Sequence, residues 1–185
     1  MVYFTADLHL GHANIIGHCN RPFPSVEEMD RVLLQNWSDR VRPMDTVYIL
    51  GDCIFRSKAP AADYLEQMPG HKHLIVGNHD AGWMKKTDLG RFFESVSRMT
   101  EIHEGGHRLV LCHYPMMTWN NVGHGSYHIY GHIHNNTRDF YWPLLRQMDH
   151  ALNAGVDING FRPVTLPELI ENNARHRAAC DESSL

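Results

Sequence analysis

The 185-residue chain is 43% hydrophobic and 21% charged, the balance of an ordinary globular protein, with no low-complexity tract and no internal repeat. A chain of this length fits one domain that buries somewhat over about 68% of its unfolded surface. A net charge of -4 argues against a broad electrostatic footprint for duplex nucleic acid, and no apolar run approaches the roughly 18 residues needed to span a membrane. The cysteines Cys19, Cys53, Cys112 and Cys180 form no C-x-x-C pair and no basic-then-apolar leader opens the chain, so reduced thiols and a cytoplasmic location are expected.

The first apolar run, Val2 to Thr5, predicts a strand, and it leads into Asp7 and His9. Ser25-Val26-Glu27-Glu28 then has the S-x-x-E spacing of a capping box. With Met29, Val32, Leu33, Trp37 and Val41 at helical spacing, it predicts an amphipathic helix over Val26 to Val41. A second strand, Thr46 to Leu50, ends in Gly51-Asp52. A second helix is expected from Pro60 to Met68, stopped by Pro69-Gly70, with Leu65 and Met68 facing inward. A third strand, His73 to Val76, runs into Gly77-Asn78-His79-Asp80.

This alternation points to an α/β architecture with parallel strands at its centre. Beyond Val96 the pattern changes. Met99 to His103, the turn Glu104-Gly105-Gly106 and His107 to Cys112 read as a hairpin, so the second half should hold antiparallel or mixed pairing. Leu109 to Cys112 ends in His113, and Tyr127 to Tyr130 ends in Gly131-His132-Ile133-His134. Ala151 to Ile158 and Pro163 to Thr165 read as short strands. Thr165-Leu166-Pro167-Glu168 repeats the capping-box spacing and starts a last helix, fading into a polar tail over about residues 177–185 of one single domain.

Five strands thus end in metal-compatible side chains, and in open parallel sheets the ligand crevice lies at the strands' carboxyl ends. In an extended chain, residues i and i+2 share a side, so Asp7 with His9, and His132 with His134, are expected to present paired donors. The glycines before Asp52, Asn78 and His132 mark sharp turns or close backbone approach. The donor set is Asp7, His9, Asp52, Asn78, His113, His132 and His134, with oxygen and imidazole donors and no thiolate. A structural zinc needs four ligands and usually some cysteine, so this set suggests two ions. Two ions clamp the attacking and departing oxygens of an in-line displacement at phosphorus.

Asp-x-His, Gly-Asp, Gly-Asn-His-Asp, a lone His after a strand and Gly-His-x-His, in that order from Asp7 to His134, resemble the calcineurin-like metallophosphoesterase superfamily. The segment around Asn20-Arg21-Pro22-Phe23 is similar to compact bacterial and phage-encoded members. The resemblance implies a four-layer α-β-β-α sandwich with mixed sheets, and no insertion after Asn78 or His113 is long enough for a cap domain. It places Asp7, His9, Asp52 and His134 at one metal and Asp52, Asn78, His113 and His132 at a second, with Asp52 bridging. A water or hydroxide between the ions would attack phosphorus. His79, the other catalytic residue beside Asp52, would protonate the leaving oxygen or stabilise the transition state.

Mn, Fe, Zn or Ni all suit these ligands, with Mn the first choice for assays. Two divalent ions would leave the site near about +1 in an acidic protein, able to attract phosphate. The expected partner is a small phosphate ester or nucleotide, with nucleic-acid ends a further option and no membrane. A phosphodiesterase is favoured over a phosphomonoesterase or nucleotide pyrophosphatase, with a non-catalytic metal-binding scaffold as the alternative from another class.

Around this set, Arg21 is a candidate clamp for a phosphate oxygen, against a surface salt bridge. His12, Asn78 and His79 are further candidate substrate contacts. Asp80 either orients His79 or caps the next segment. Trp119, Asn120 and His124 flank a Gly-rich loop that is a candidate rim of the cleft, although core packing is the commoner fate of a tryptophan. Cys53 and Cys112 read as core residues.

Overall fold

The computed structural model describes residues 1–182. Strands β1 (Val2–Thr5), β2 (Thr46–Ile49), β3 (His71–Ile75) and β4 (Ser95–Ser97) form a four-stranded parallel sheet in that order. Strands β5 (Met99–Glu104), β6 (His107–Cys112), β7 (Tyr127–Tyr130) and β8 (Ala151–Asn153) form a second sheet, antiparallel at β5–β6 and parallel thereafter. The hairpin forms where Glu104 pairs His107 across Gly105 and Gly106, whose φ values of 57° and 81° supply the left-handed turn that such a two-residue loop needs.

Period-two alternation divides the side chains into three cores. Tyr3, Val47, Ile49 and Leu74 face outward from the first sheet, toward the helices. Their neighbours Phe4, Leu50 and Ile75 face inward and meet Leu109, Leu111, Ile129 and Leu152 of the second sheet. Val110, Tyr130 and Ala151 point to the far side, beneath Trp119, Trp142 and Leu145. The result is the expected α-β-β-α sandwich, although only the second sheet is mixed and the first is wholly parallel.

The helices are α1 (Ala13–His18), α2 (Val26–Arg40), α3 (Ala61–Leu65), α4 (Ala81–Met84), α5 (Trp142–Leu145) and α6 (Leu166–Glu182). Half of the capping box before α2 forms: the Ser25 hydroxyl accepts from the Glu28 N–H, worth about 1 kcal/mol, while the Glu28 carboxylate pairs with Arg31. Met29, Leu33 and Trp37 of α2 are buried against the first sheet. At α6 it is the Glu168 carboxylate that reaches back to the Thr165 N–H and hydroxyl. No helix among the described residues is long and apolar enough to cross a membrane.

Four boundaries differ from expectation by more than two residues. The helix expected over Pro60 to Met68 keeps helical bonding only through Leu65, although Met68 is buried as foreseen. The run Ala151 to Ile158 is a strand only to Asn153, then a 3-10 turn over Val156–Ile158. Pro163 to Thr165 makes a single antiparallel bridge, Val164 with Phe4. The polar tail continues α6 as far as Glu182, steadied by Arg175–Glu171 and by Arg177 bonding Asp149 and the Ala151 carbonyl; residues 183–185 lie outside the described residues. Elements of three to six residues, β4, α1, α4 and α5, are too short to show a period.

Candidate metal centre

The loops after five strands converge at one end of the sandwich. Backbone bonds lace them together: the Asp7 N–H donates to the Gly51 carbonyl, His9 to Asp52 and Gly131 to His113. Their donors fall into two groups, Asp7 with His9 and His134, and Asp52 with His113 and His132. Within each group the ligand atoms lie within 4.8 Å of one another. Asn78 Oδ1 lies 3.0 Å from His113 Nε2 and extends the second group. Asp52 Oδ2 is 3.6 Å from His9 Nε2 and 3.5 Å from His113 Nε2, so one carboxylate oxygen faces both groups.

The convergence does not come from strand alternation. β1 ends at Thr5, and Asp7 and His9 have φ values of 57° and 53°. Asp52, His132 and His134 are also left-handed, at 53°, 73° and 52°. Five of the nine non-glycine residues with positive φ among those described are therefore predicted donors. Each such conformation costs on the order of 1–3 kcal/mol and persists where surrounding structure enforces it, a frequent mark of functional sites. The pairs Asp7/His9 and His132/His134 meet the cleft through twisted backbone, and the second pair divides between the two groups.

A cation fits this donor set. His9 Nε2 is buried and has no hydrogen-bond partner in the protein, an arrangement that is costly unless something electrophilic sits there. Burial lowers His9 to about 2, leaving a neutral imidazole with a free lone pair. Burial works to raise Asp52, but the hydrogen bond and charge of His113 and the His79 N–H outweigh it and hold the carboxyl at about 2. Burial raises Asp7 to about 6, against the opposing pull of His134 and His113. For His134 burial acts downward, yet Asp7 and Asp157 push it up to about 11.

His79 lies outside both donor groups, as expected of a residue that is not a ligand. Its N–H donates to Asp52 Oδ1 at 2.8 Å, and its ring lies 4.1 Å from Phe55 and 5.6 Å from His9, measured between centroids. His12 is buried against Phe55, with Nδ1 3.4 Å from His9 Nδ1, and burial lowers it to about 4. A cavity of about 920 Å³ opens over these rings, lined by His9, His12, Phe55, His79, His132 and His134.

Arg21 is neither a phosphate clamp nor a surface ion pair. Its guanidinium is buried and fully used, donating to both Asp157 carboxylate oxygens and to the Asp7 and Leu8 carbonyls. Asp157 in turn accepts from or pairs with His134 Nδ1 at 2.9 Å, so an Arg21–Asp157–His134 chain fixes the ring. Burial pushes Asp157 upward, but His134 and Arg21 outweigh it and hold the carboxyl below the usual range. The pair therefore stabilises the fold above the ordinary carboxylate pKa of about 4, and that contribution fades as pH falls below it. Arg21→Leu is expected to cost about 3–5 kcal/mol at neutral pH in denaturant unfolding, because Asp157 loses its buried partner.

Asp80 takes neither expected role. It accepts from the backbone N–H groups of Asp52, Cys53 and Gly77 and from the Trp83 indole, and so clamps the Gly-Asp loop to the Gly-Asn-His-Asp loop. Gly51 completes that joint: its φ is 83°, and a Cβ there would lie 2.4 Å from His113 Nδ1 and 2.7 Å from Gly77. Gly51→Ala is expected to lower stability by about 1–3 kcal/mol and to weaken metal binding at the second group, seen in a melt and a metal titration. Trp119 packs in the outer core with its indole N–H on Ser126, and His124 is exposed and lines neither this cavity nor the one beside it. Cys53 is buried and Cys112 only partly so. Asp157 and Phe55 escape sequence reading; the one signal for Asp157 is a lone acid within the apolar run Ala151 to Ile158.

No family model matches the chain. The uncharacterized protein MJ1445 of Methanocaldococcus jannaschii is 35% identical over 172 residues, 92% of this chain and 89% of that one. The gene 66 protein of Mycobacterium phage L5 is 32% identical over 160 residues, 72% of this chain and 77% of its own. Among solved structures, the Aquifex aeolicus protein AQ665, of unknown function, superposes with a TM-score of 0.71 at 28% identity, covering 92% of this chain and 98% of that one. With its motif blocks gathered into one cleft, the chain belongs to the family of MJ1445 and the phage gene 66 protein.

Proposed function

We propose that this protein is a phosphodiesterase that works with two divalent ions. The observation that carries the reading is Asp52 Oδ2, held 3.6 Å from His9 Nε2 and 3.5 Å from His113 Nε2 between two groups of ligands. Asp7, His9, Asp52 and His134 would hold one ion, and Asp52, Asn78, His113 and His132 the other. Bound divalent ions, with Mn the first choice for assays, would supply Lewis acidity and a strong nucleophile from water at neutral pH. Around them the chain's own residues divide the remaining work. The Arg21–Asp157 pair fixes His134, the Asp80 clamp fixes Asp52, and His79 stands at the cleft wall where it can donate a proton to the leaving oxygen.

The diester preference rests on Arg21. The guanidinium best suited by sequence to gripping a terminal dianionic phosphate is committed to Asp157 and two carbonyls. Hydrolysis of bis-p-nitrophenyl phosphate and p-nitrophenyl phosphate with Mn, with metal analysis of the same sample, tests the reading. Two ions per chain and faster release from the diester are expected. Faster release from the monoester would make it a phosphomonoesterase, and no release from either in protein holding two ions would make it a binding scaffold.

A further inference from the structure

Beside the metal cleft lies a second cavity of about 750 Å³, and the two share Phe55, Arg56 and His79 as a common wall. Its charge is one-sided. Arg56, Lys58, Lys86 and Arg91 line it against a single carboxylate, Asp88, in a protein whose net charge is -4. Arg91 is already paired with Glu66. Arg56, Lys58 and Lys86 are exposed, and among the described residues no carboxylate lies within ion-pair distance of any of them. Arg56 stands on the shared wall with a left-handed backbone, φ 51°, and its guanidinium is 5.1 Å from the Phe55 ring centroid.

On the reading that the metal centre cleaves a phosphodiester, we propose that this second cavity is the channel for the continuing backbone of a single-stranded oligonucleotide. Its next phosphates would be held by Arg56, Lys58 and Lys86. A mononucleotide offers one phosphate, which the metal centre takes, and a pyrophosphate places its second phosphorus against the first. A ligand with charges spaced along a chain is the one that uses both cavities at once. Unpaired cations tracking a groove beside aromatic side chains, here the half-buried Phe55 and Phe92, are the usual means of holding a single strand without reading its sequence. The local patch also fits the chain's acidity: a narrow cationic channel suits one strand, whereas a duplex needs a broad basic face.

Binding tests this independently of turnover. The full-length, Mn-loaded protein is titrated with a fluorescent, hydrolysis-resistant phosphorothioate single strand of about a dozen nucleotides, at several salt concentrations. Lys58→Ser/Lys86→Ser is expected to weaken binding and to flatten the slope of log K against log salt by about 1.4. The wild type would then lose about sevenfold more affinity than the variant between about 50 and 200 mM salt. Arg42→Ser/Arg98→Ser removes the same charge from exposed sites that line neither cavity, and it is expected to keep the wild-type slope. An unchanged slope in the Lys58/Lys86 variant, or an equal change in the control pair, overturns the channel. So does equal affinity for a thymidine monophosphate competitor or for the matching duplex. If the strand binds as expected but no diester is cleaved, the phosphodiesterase reading fails while the channel stands.

Discussion

Asp52→Asn is expected to strip metal from both groups of ligands at once. The substitution places an amide nitrogen, or a neutral oxygen, where Oδ2 now faces His9 and His113, and removes the charge that two cations would share. Affinity should fall by more than the 10- to 100-fold typical when a residue that only orients a ligand is changed, and diester hydrolysis should fall with it. Isothermal titration with Mn, beside a circular dichroism spectrum showing an intact fold, separates metal loss from unfolding. Retention of both ions at wild-type affinity contradicts a shared carboxylate. Loss of one ion alone assigns Asp52 to a single group.

His79→Ala should behave differently. The ring packs on Phe55 and belongs to neither donor group, so metal content is expected to stay at the wild-type level. Turnover should drop by about 10²- to 10⁴-fold, the usual range for removing a positioned proton donor. The deficit should shrink for esters whose leaving group needs no proton, such as p-nitrophenolate, and grow for an alkyl or sugar alcohol. Metal analysis of the purified variant decides between the two roles: loss of an ion would make His79 a ligand. A deficit equal for all leaving groups would make it a stabiliser of charge on the phosphoryl oxygens.

The arrangement of sheets was legible because it depends on patterns that repeat. Tyr3 and Phe4, Ile49 and Leu50, and Leu74 and Ile75 each send one side chain to either face, and the Gly105-Gly106 turn announces the change to antiparallel pairing. The donors were legible for a related reason, since each follows directly on such a run. Their mode of convergence was not, because backbone conformation at Asp7 and His9 is set by the neighbouring loop through Gly51 and Asp52 and leaves no trace in residue type. Arg21 shows a second limit. Its spacing from the first motif is compatible with a substrate contact, and only the position of Asp157, 136 residues later, reveals that the guanidinium is spent inside the protein. Asp80 shows a third: four N–H partners from two loops and the helix α4 are a tertiary fact, invisible in a tetrapeptide motif.

The left-handed backbone at Asp7, His9, Asp52, His132 and His134 also bears on how such a chain can change over generations. Glycine occupies that region at lower cost than aspartate or histidine, so substitutions to glycine there relax the backbone and delete a donor together. Selection for robustness alone would therefore erode this centre before it touched the sheets, and a folded, inert descendant lies a few single steps away. Keeping the cleft intact demands continued selection on the chemistry itself, and a library screened only for thermal resistance should return its sturdiest members with the donors gone.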